Sequence, residues 1–148
     1  MGNVTAPEAL SFRGSEGIND PTLRDLPYKI ELNAWGKIEM SPASNRHGRL
    51  QALLGAQLLR QLPGGIVINE ASIITDIGVR VADVAWGAAD FFRTYGETTP
   101  YPKAPEICIE VASPSNSARE LQDKVAAYLA VGASEAWIVY PQTKRIEF

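Results

Sequence analysis

A carboxylate inside a short apolar run is the feature that most restricts this chain. Ile107 to Val111 reads ICIEV, apolar except for Glu110. Such a run fits a strand buried on both faces, where a charge is costly unless something compensates it. The turn set Ser113-Pro114-Ser115-Asn116 stops the strand. Ser117 with Glu120 three residues later makes a capping box, so a helix is expected to start there. A strand ending in a carboxylate, then a tight turn, then a helix is a common frame for a site.

Two other residues have the same character. Asp83 stands in the alternating, β-branched stretch VRVADVAW, Val79 to Trp86, which reads as a central strand. If the two strands are neighbours, Asp83 and Glu110 face a common point. Without a cation such a pair should share a proton. With Mg²⁺, one or two carboxylates plus waters and substrate phosphate are the ligands that ion prefers. Lys124 lies seven residues beyond Ser117, about 10 Å along a helix axis. It borders the helix's apolar stripe, so its stem can lie on the sheet while the ammonium reaches the rim. There it would offset charge in a phosphoryl transition state. A plainer reading stays open beside this one. Lys124 follows Glu120 by four residues, the spacing of an exposed helix pair, Asp83 can cap a turn, and Glu110 can pair with an arginine.

The rest of the chain supplies a frame. Residues 1–24 are polar and Gly/Asn/Ser-rich and are expected to form a flexible arm, leaving 25–148 as one domain. YKIEL and GKIEM flank Asn33-Ala34-Trp35-Gly36 and predict a half-exposed N-terminal β-hairpin. Leu50, Leu53, Leu54, Leu58 and Leu62 fall at helical spacing over Asn45 to Leu62, ended by Pro63-Gly64-Gly65. Ile66–Asn69 and Ser72–Thr75 read as two short strands. Ala89 to Pro105 reads as an irregular loop carrying Phe91, Phe92, Tyr95 and Tyr101, a lid or a dimer contact. The helix after Ser117 shows Ala118, Leu121, Val125, Tyr128 and Leu129 on one face, with Gly132 as its C-terminal cap. Trp137–Tyr140 and Arg145–Phe148 close the order as a terminal hairpin. Strands and helices mixed in this way predict an α/β fold, a mixed central sheet flanked by helices.

Composition limits the function classes. With 148 residues, 45% hydrophobic and 21% charged, the chain is long enough for a real core and ordinary for a globular domain. No apolar run approaches the length needed to cross a bilayer, and no secretory leader opens the sequence, so no membrane partner and a cytoplasmic location are expected. Cys108 is the only cysteine; inside its apolar strand it reads as a structural thiol and not a nucleophile. A net charge of −3 argues against tight non-specific DNA binding by a monomer but leaves room for a local basic cleft.

From Pro105 to Pro141 the sequence resembles the Uma-two family of restriction-endonuclease-like proteins. The resemblance rests on Pro105, Glu110, Ser113, Pro114, Ser115, Lys124, Tyr128, Gly132, Trp137 and Pro141. Upstream, GKIEMSPASNRHGRL is similar to the family's Gly-x-x-x-Met-Ser-Pro segment with a helix-opening histidine, His47, and VADVAW stands where the family has Pro-Asp-Val-Ala. Ala82 replaces that proline. The match spans about residues 27 to 148. It implies the PD-(D/E)xK nuclease superfamily and a restriction-endonuclease-like α/β/α core. Asp83, Glu110 and the Val111 carbonyl would then hold Mg²⁺, or Mn²⁺ in its place, and Lys124 would be the catalytic lysine. That lysine would have migrated, because the superfamily's strand position, two residues after the glutamate, is Ala112. The superfamily's first-helix acid is also not evident; His47, Gln51 or Glu39 would stand in, and His47 and Ser113 are secondary candidates. The expected activity is hydrolysis of phosphodiester bonds in DNA, by a homodimer with no small organic cofactor. Two rival expectations are an inactive nuclease-fold binding or regulatory module, and a structural homodimer joined through the Phe91–Tyr101 loop.

Overall fold

The hairpin is built by its turn. In the computed structural model, which describes residues 28–42 and 44–148, β1 (Tyr28–Asn33) and β2 (Ile38–Pro42) pair antiparallel. The Asn33 carboxamide oxygen accepts from the Trp35 and Lys37 N–H groups, both at 3.0 Å, and Gly36 takes the positive φ of 75° that closes the turn. The hairpin is not uniformly half-exposed: Glu31 and Leu32 are buried. The expected arm over 1–24 lies outside the described residues.

The remaining elements follow in order. They are α1 (Asn45–Gln61), β3 (Gly65–Thr75), β4 (Gly78–Ala88), α2 (Ala89–Tyr95), β5 (Ile107–Val111), α3 (Ala118–Ala130), β6 (Glu135–Tyr140) and β7 (Arg145–Glu147). Ser44 caps α1 by accepting the His47 N–H at 3.1 Å, and Ser117 caps α3 by accepting the Glu120 N–H at 3.1 Å. The two short strands expected within 66–75 are one strand, and the irregular loop after Ala88 begins with a short helix. Phe91 and Tyr101 are buried and pack edge-on at 5.1 Å between ring centroids. Phe91 and Tyr101 therefore fill core space, whereas Phe92 and Tyr95 are only partly buried.

All seven strands form one mixed sheet, ordered β2-β1-β4-β5-β6-β7 with β3 along β4. Among the named strands only β5 and β6 run parallel to each other. β3 covers one edge of β4 along its whole length. The other edge is shared. β1 pairs there through Leu32–Val79 and Asn33–Gly78, and β5 pairs further on through Val84–Ile109, Ala85–Cys108 and Trp86–Ile107. Between them the edge forks. Gly78, at φ 111°, makes the close approach of β1 possible, because a Cβ there would strike the Leu32 carbonyl oxygen.

Each face of the sheet has its own core. Leu58 of α1, with partly buried Leu50 and Leu54, packs on Val84, Ile107, Ile109, Val111 and Val139. Tyr128 of α3 packs on Ile73, Ala82, Cys108 and Ala136. Helices thus cover both faces, the α/β/α arrangement. The exposed positions correct the expected stripes in part. Leu53 on α1 and Leu62 at its C-terminal cap, and Ala118 and Leu129 on α3, face outward, while Gln51 and Lys124 turn inward. Cys108 is fully buried, and burial pushes its thiol far up, as a structural cysteine requires.

Ala82 and Val84 belong to different cores, so strict alternation fails at Asp83 between them. The β3–β4 ladder pairs Asn69 with Val84 and Ala71 with Ala82 but skips Glu70 and Asp83. Glu70 there adopts φ 59°, an uncommon conformation for a residue with a side chain. The break lies beside the fork.

Candidate active site

The fork gathers the charged residues. Because Val84 pairs with Ile109 in the antiparallel ladder, Asp83 and Glu110 stand opposite each other across it. Both are buried. One ammonium group lies between them and a second lies against Glu110. Lys29 Nζ lies 2.9 Å from Asp83 Oδ1 and 3.3 Å from Glu110 Oε2. Lys124 Nζ lies 2.9 Å from Glu110 Oε1 and 2.9 Å from Glu31 Oε2. The Tyr128 hydroxyl donates to Glu110 Oε1 at 2.7 Å. The main chain completes the frame: Val111 N–H donates to Asp83 Oδ2 at 2.7 Å, and Val81 N–H donates to Glu31 Oε2 at 2.8 Å.

The sequence-derived candidates divide clearly. Asp83, Glu110 and Lys124 meet, and Val111 lines the same small cavity. His47 Nε2 sits 3.1 Å from Asp83 Oδ1. Gln51 donates to the Asp83 carbonyl at 2.9 Å and so steadies the broken strand instead of facing the cavity. Ser113 lines the cavity, with its hydroxyl held by Asn116 Oδ1 at 2.8 Å. Glu39 does not join: it is half-exposed and pairs with Arg80 at 2.7 Å. The plain surface pair of Lys124 with Glu120 is also not formed; Lys124 is only 5% exposed and points at Glu31 and Glu110.

Sequence reasoning missed Lys29, Glu31 and Glu70. The strand pattern held a signal for the first two. Lys29 and Glu31 are two apart, so they share a face of β1, and that face turns into the fork. Glu31 brings a third carboxylate to the cluster, 2.9 Å from Lys124 Nζ. Glu70 lines the cavity from β3, and nothing in the local sequence marks its backbone as unusual.

The electrostatics are asymmetric. Burial pulls the Asp83 carboxyl upward, but the His47 hydrogen bond and the Lys29 charge outweigh it and hold the group well below the usual carboxylate range. Glu31 is likewise lowered, with Lys29 and Lys124 overcoming its burial. Glu110 goes the other way: complete burial outweighs both lysines and raises it. With the Lys29 ammonium between them, the two carboxylates part company: Asp83 is held ionised and Glu110 has the higher proton affinity. Burial lowers Lys29, yet Glu110 and then Asp83 overcome it and raise the group far above its ordinary value. The hydrogen bond to Asp83 lifts His47 despite burial.

The donor set suits a hard cation. Asp83 Oδ1 and Glu110 Oε2 converge on one point, held here by the Lys29 ammonium. A cavity of about 30 Å³ adjoins it, room for a water or an ion. Among the described residues, no three His, Cys, Asp or Glu side chains gather closely enough to hold a metal by themselves. A hard cation held by one or two carboxylates fills the rest of its shell from water and phosphate. A larger cleft of about 360 Å³ opens alongside and shares His47, Val111, Ser113 and Asn116 with the small cavity.

A mixed sheet with helices on both faces defines an α/β protein of restriction-endonuclease-like fold, and two strand carboxylates and a lysine gather at its fork. The chain belongs to the Uma2 family, described as "Putative restriction endonuclease", whose model matches residues 21–148. Among solved structures it is similar to a crystal structure described as "a putative nuclease belonging to DUF820" from Anabaena variabilis. The two share 17% identity over 80% of this chain and 74% of that one, with a TM-score of 0.62; at that identity the likeness speaks for the fold. No curated protein matches the sequence. Among the described residues no helix is long and apolar enough to cross a membrane.

Proposed function

We propose that this protein is a metal-dependent endonuclease that hydrolyses phosphodiester bonds in DNA, with Mg²⁺ as its ion and Mn²⁺ as a substitute. One observation carries the reading: two carboxylate oxygens from adjacent core strands converge on a single cation position, with a second buried lysine beside them. Asp83, Glu110 and the Val111 carbonyl would hold the ion, which when bound would polarise the scissile phosphate and the attacking water.

The chain's own residues do the rest. Glu31 and Glu110 grip the Lys124 ammonium from two sides, so it is preorganised to orient water and offset charge gathering on the phosphate. His47 and the Val111 N–H fix both oxygens of Asp83. The 360 Å³ cleft, with Arg46 and the N-terminal turn of α1 on its wall, is the proposed path of the substrate strand, since helix N-termini and arginines favour phosphates. Cutting both strands of a duplex is served by two symmetry-related sites, so a homodimer in the cytoplasm is part of the proposal.

The test is cleavage of supercoiled and linear DNA with Mg²⁺ or Mn²⁺, wild type against Asp83→Asn. Cleavage is expected to disappear in the variant while its far-ultraviolet circular dichroism stays native; undiminished cleavage refutes the assignment. A second reading, an inactive nuclease-fold binding module, draws on the Lys29 ammonium standing where an ion would sit. It predicts no Mn²⁺ binding that depends on Asp83.

A further inference from the structure

Resting on that reading of the site, we infer that Lys29 is a resident counter-ion which makes metal binding depend on a phosphodiester. The geometry separates the two lysines. Lys124 divides its contacts between Glu110 and Glu31, so it keeps Glu31 when Glu110 turns to an ion. Both partners of Lys29 are proposed ion ligands, Asp83 Oδ1 at 2.9 Å and Glu110 Oε2 at 3.3 Å. An ion taking those oxygens displaces the ammonium from both at once. Its side chain is only 11% exposed, and the cavity beside it, about 30 Å³, is also lined by Glu31, Glu70 and Lys124. The displaced ammonium therefore stays near the ion in a poorly solvated space, where repulsion is strong.

Charge sets the consequence. Glu31, Asp83 and Glu110 against Lys29 and Lys124 leave one net negative charge in this ion-paired cluster; His47 and Glu70, one basic and one acidic side chain on the same cavity wall, are common to wild type and the Lys29 variants. A divalent ion turns that into one net positive charge, and a single phosphodiester restores neutrality. The ion and the phosphate thus assist each other, as linkage requires of two ligands that relieve the same imbalance. Without the Lys29 charge, the ion alone balances the cluster and the phosphate adds little.

The experiment is calorimetric Mn²⁺ binding to the full chain, with and without a short phosphorothioate DNA duplex that resists cleavage. Wild type, Lys29→Met and Lys29→Gln are compared at one pH, with circular dichroism to verify folding. The glutamine variant keeps a hydrogen-bond donor, so it serves where the methionine variant fails to fold. The expected result is weak binding to wild type alone, tightened about tenfold or more by the duplex, a typical coupling. The neutral variants should bind Mn²⁺ alone about tenfold more tightly than wild type and lose most of that coupling. Equal affinities in wild type and folded variants, or absence of binding in all of them, overturn the role of Lys29. An Asp83→Asn control separates the two claims. If it abolishes Mn²⁺ binding while the Lys29 variants match wild type, the counter-ion role falls and the carboxylate site stands; if it binds Mn²⁺ as wild type does, the site itself is wrong.

Discussion

Replacing Glu31 with glutamine removes one charge from the buried cluster and almost no volume. The Glu31 carboxylate holds Lys124 at 2.9 Å and the Val81 N–H at 2.8 Å, with its side chain 7% exposed. Breaking a buried pair by deleting one partner costs roughly 3–5 kcal/mol. Here Lys124 retains Glu110 at 2.9 Å, and the glutamine oxygen can still accept the Val81 N–H. The expected loss is therefore smaller, about 2 kcal/mol, close to one hydrogen bond to a charged group. With a urea slope of about 2 kcal/mol/M, the unfolding midpoint at pH 7 falls by about 1 M. The pH dependence gives a second check. Glu31 titrates below its ordinary 4.5 when folded, so its contribution is present above that pH and is lost as pH falls through the lower folded value. Urea curves of both proteins by circular dichroism at pH 7 and in acid should thus converge as the pH drops. A midpoint shift under about 0.2 M at pH 7, or a gap that widens in acid, refutes the assignment of Glu31 as the partner that holds Lys124.

Two more outcomes follow from the same cluster. Asp83→Asn should lose more stability at pH 7 than Glu110→Gln, because Asp83 is lowered by its partners whereas burial raises Glu110. Parallel urea titrations decide this, and the reverse order would contradict the asymmetry. Gly78→Ala should destabilise by about 1–3 kcal/mol through its positive φ and also loosen β1, since the new Cβ meets the Leu32 carbonyl. Amide exchange confined to faster opening of β1 and β2 checks it, and native exchange there would contradict the close approach.

How much of this was legible in the sequence depended on how local each cause is. The capping serines, the turn at Asn33 and the strand around Glu110 are decided within a few residues, and each stands where the local pattern put it. Asp83 and Glu110 were visible because a charge in an apolar strand is conspicuous. Lys29 and Glu31 were not, because they alternate with Ile30 and Leu32 and so look like the wet side of a hairpin. Only the pairing of Leu32 with Val79, a contact between distant segments, turns that side inward. Lys124 was legible as a candidate through its place at the margin of a helical stripe, whereas its second partner, Glu31, was not. The break at Glu70 and Asp83 is a property of two strands together, and neither strand announces it alone.

The forked edge of β4 also changes what fastens the hairpin to the body. Backbone pairing joins β1 to β4 at only two positions, Leu32–Val79 and Asn33–Gly78. Lys29 and Glu31 then reach across the fork to Asp83, Glu110, Lys124 and Val81. The hairpin is therefore buttoned on largely by ions, and the buttons are the site itself. Added salt reaches buried charges weakly, whereas acid that protonates the carboxylates undoes the fastening directly. The charge of the cluster and the attachment of the first two strands are thus coupled in this protein, so a change to one is felt by the other.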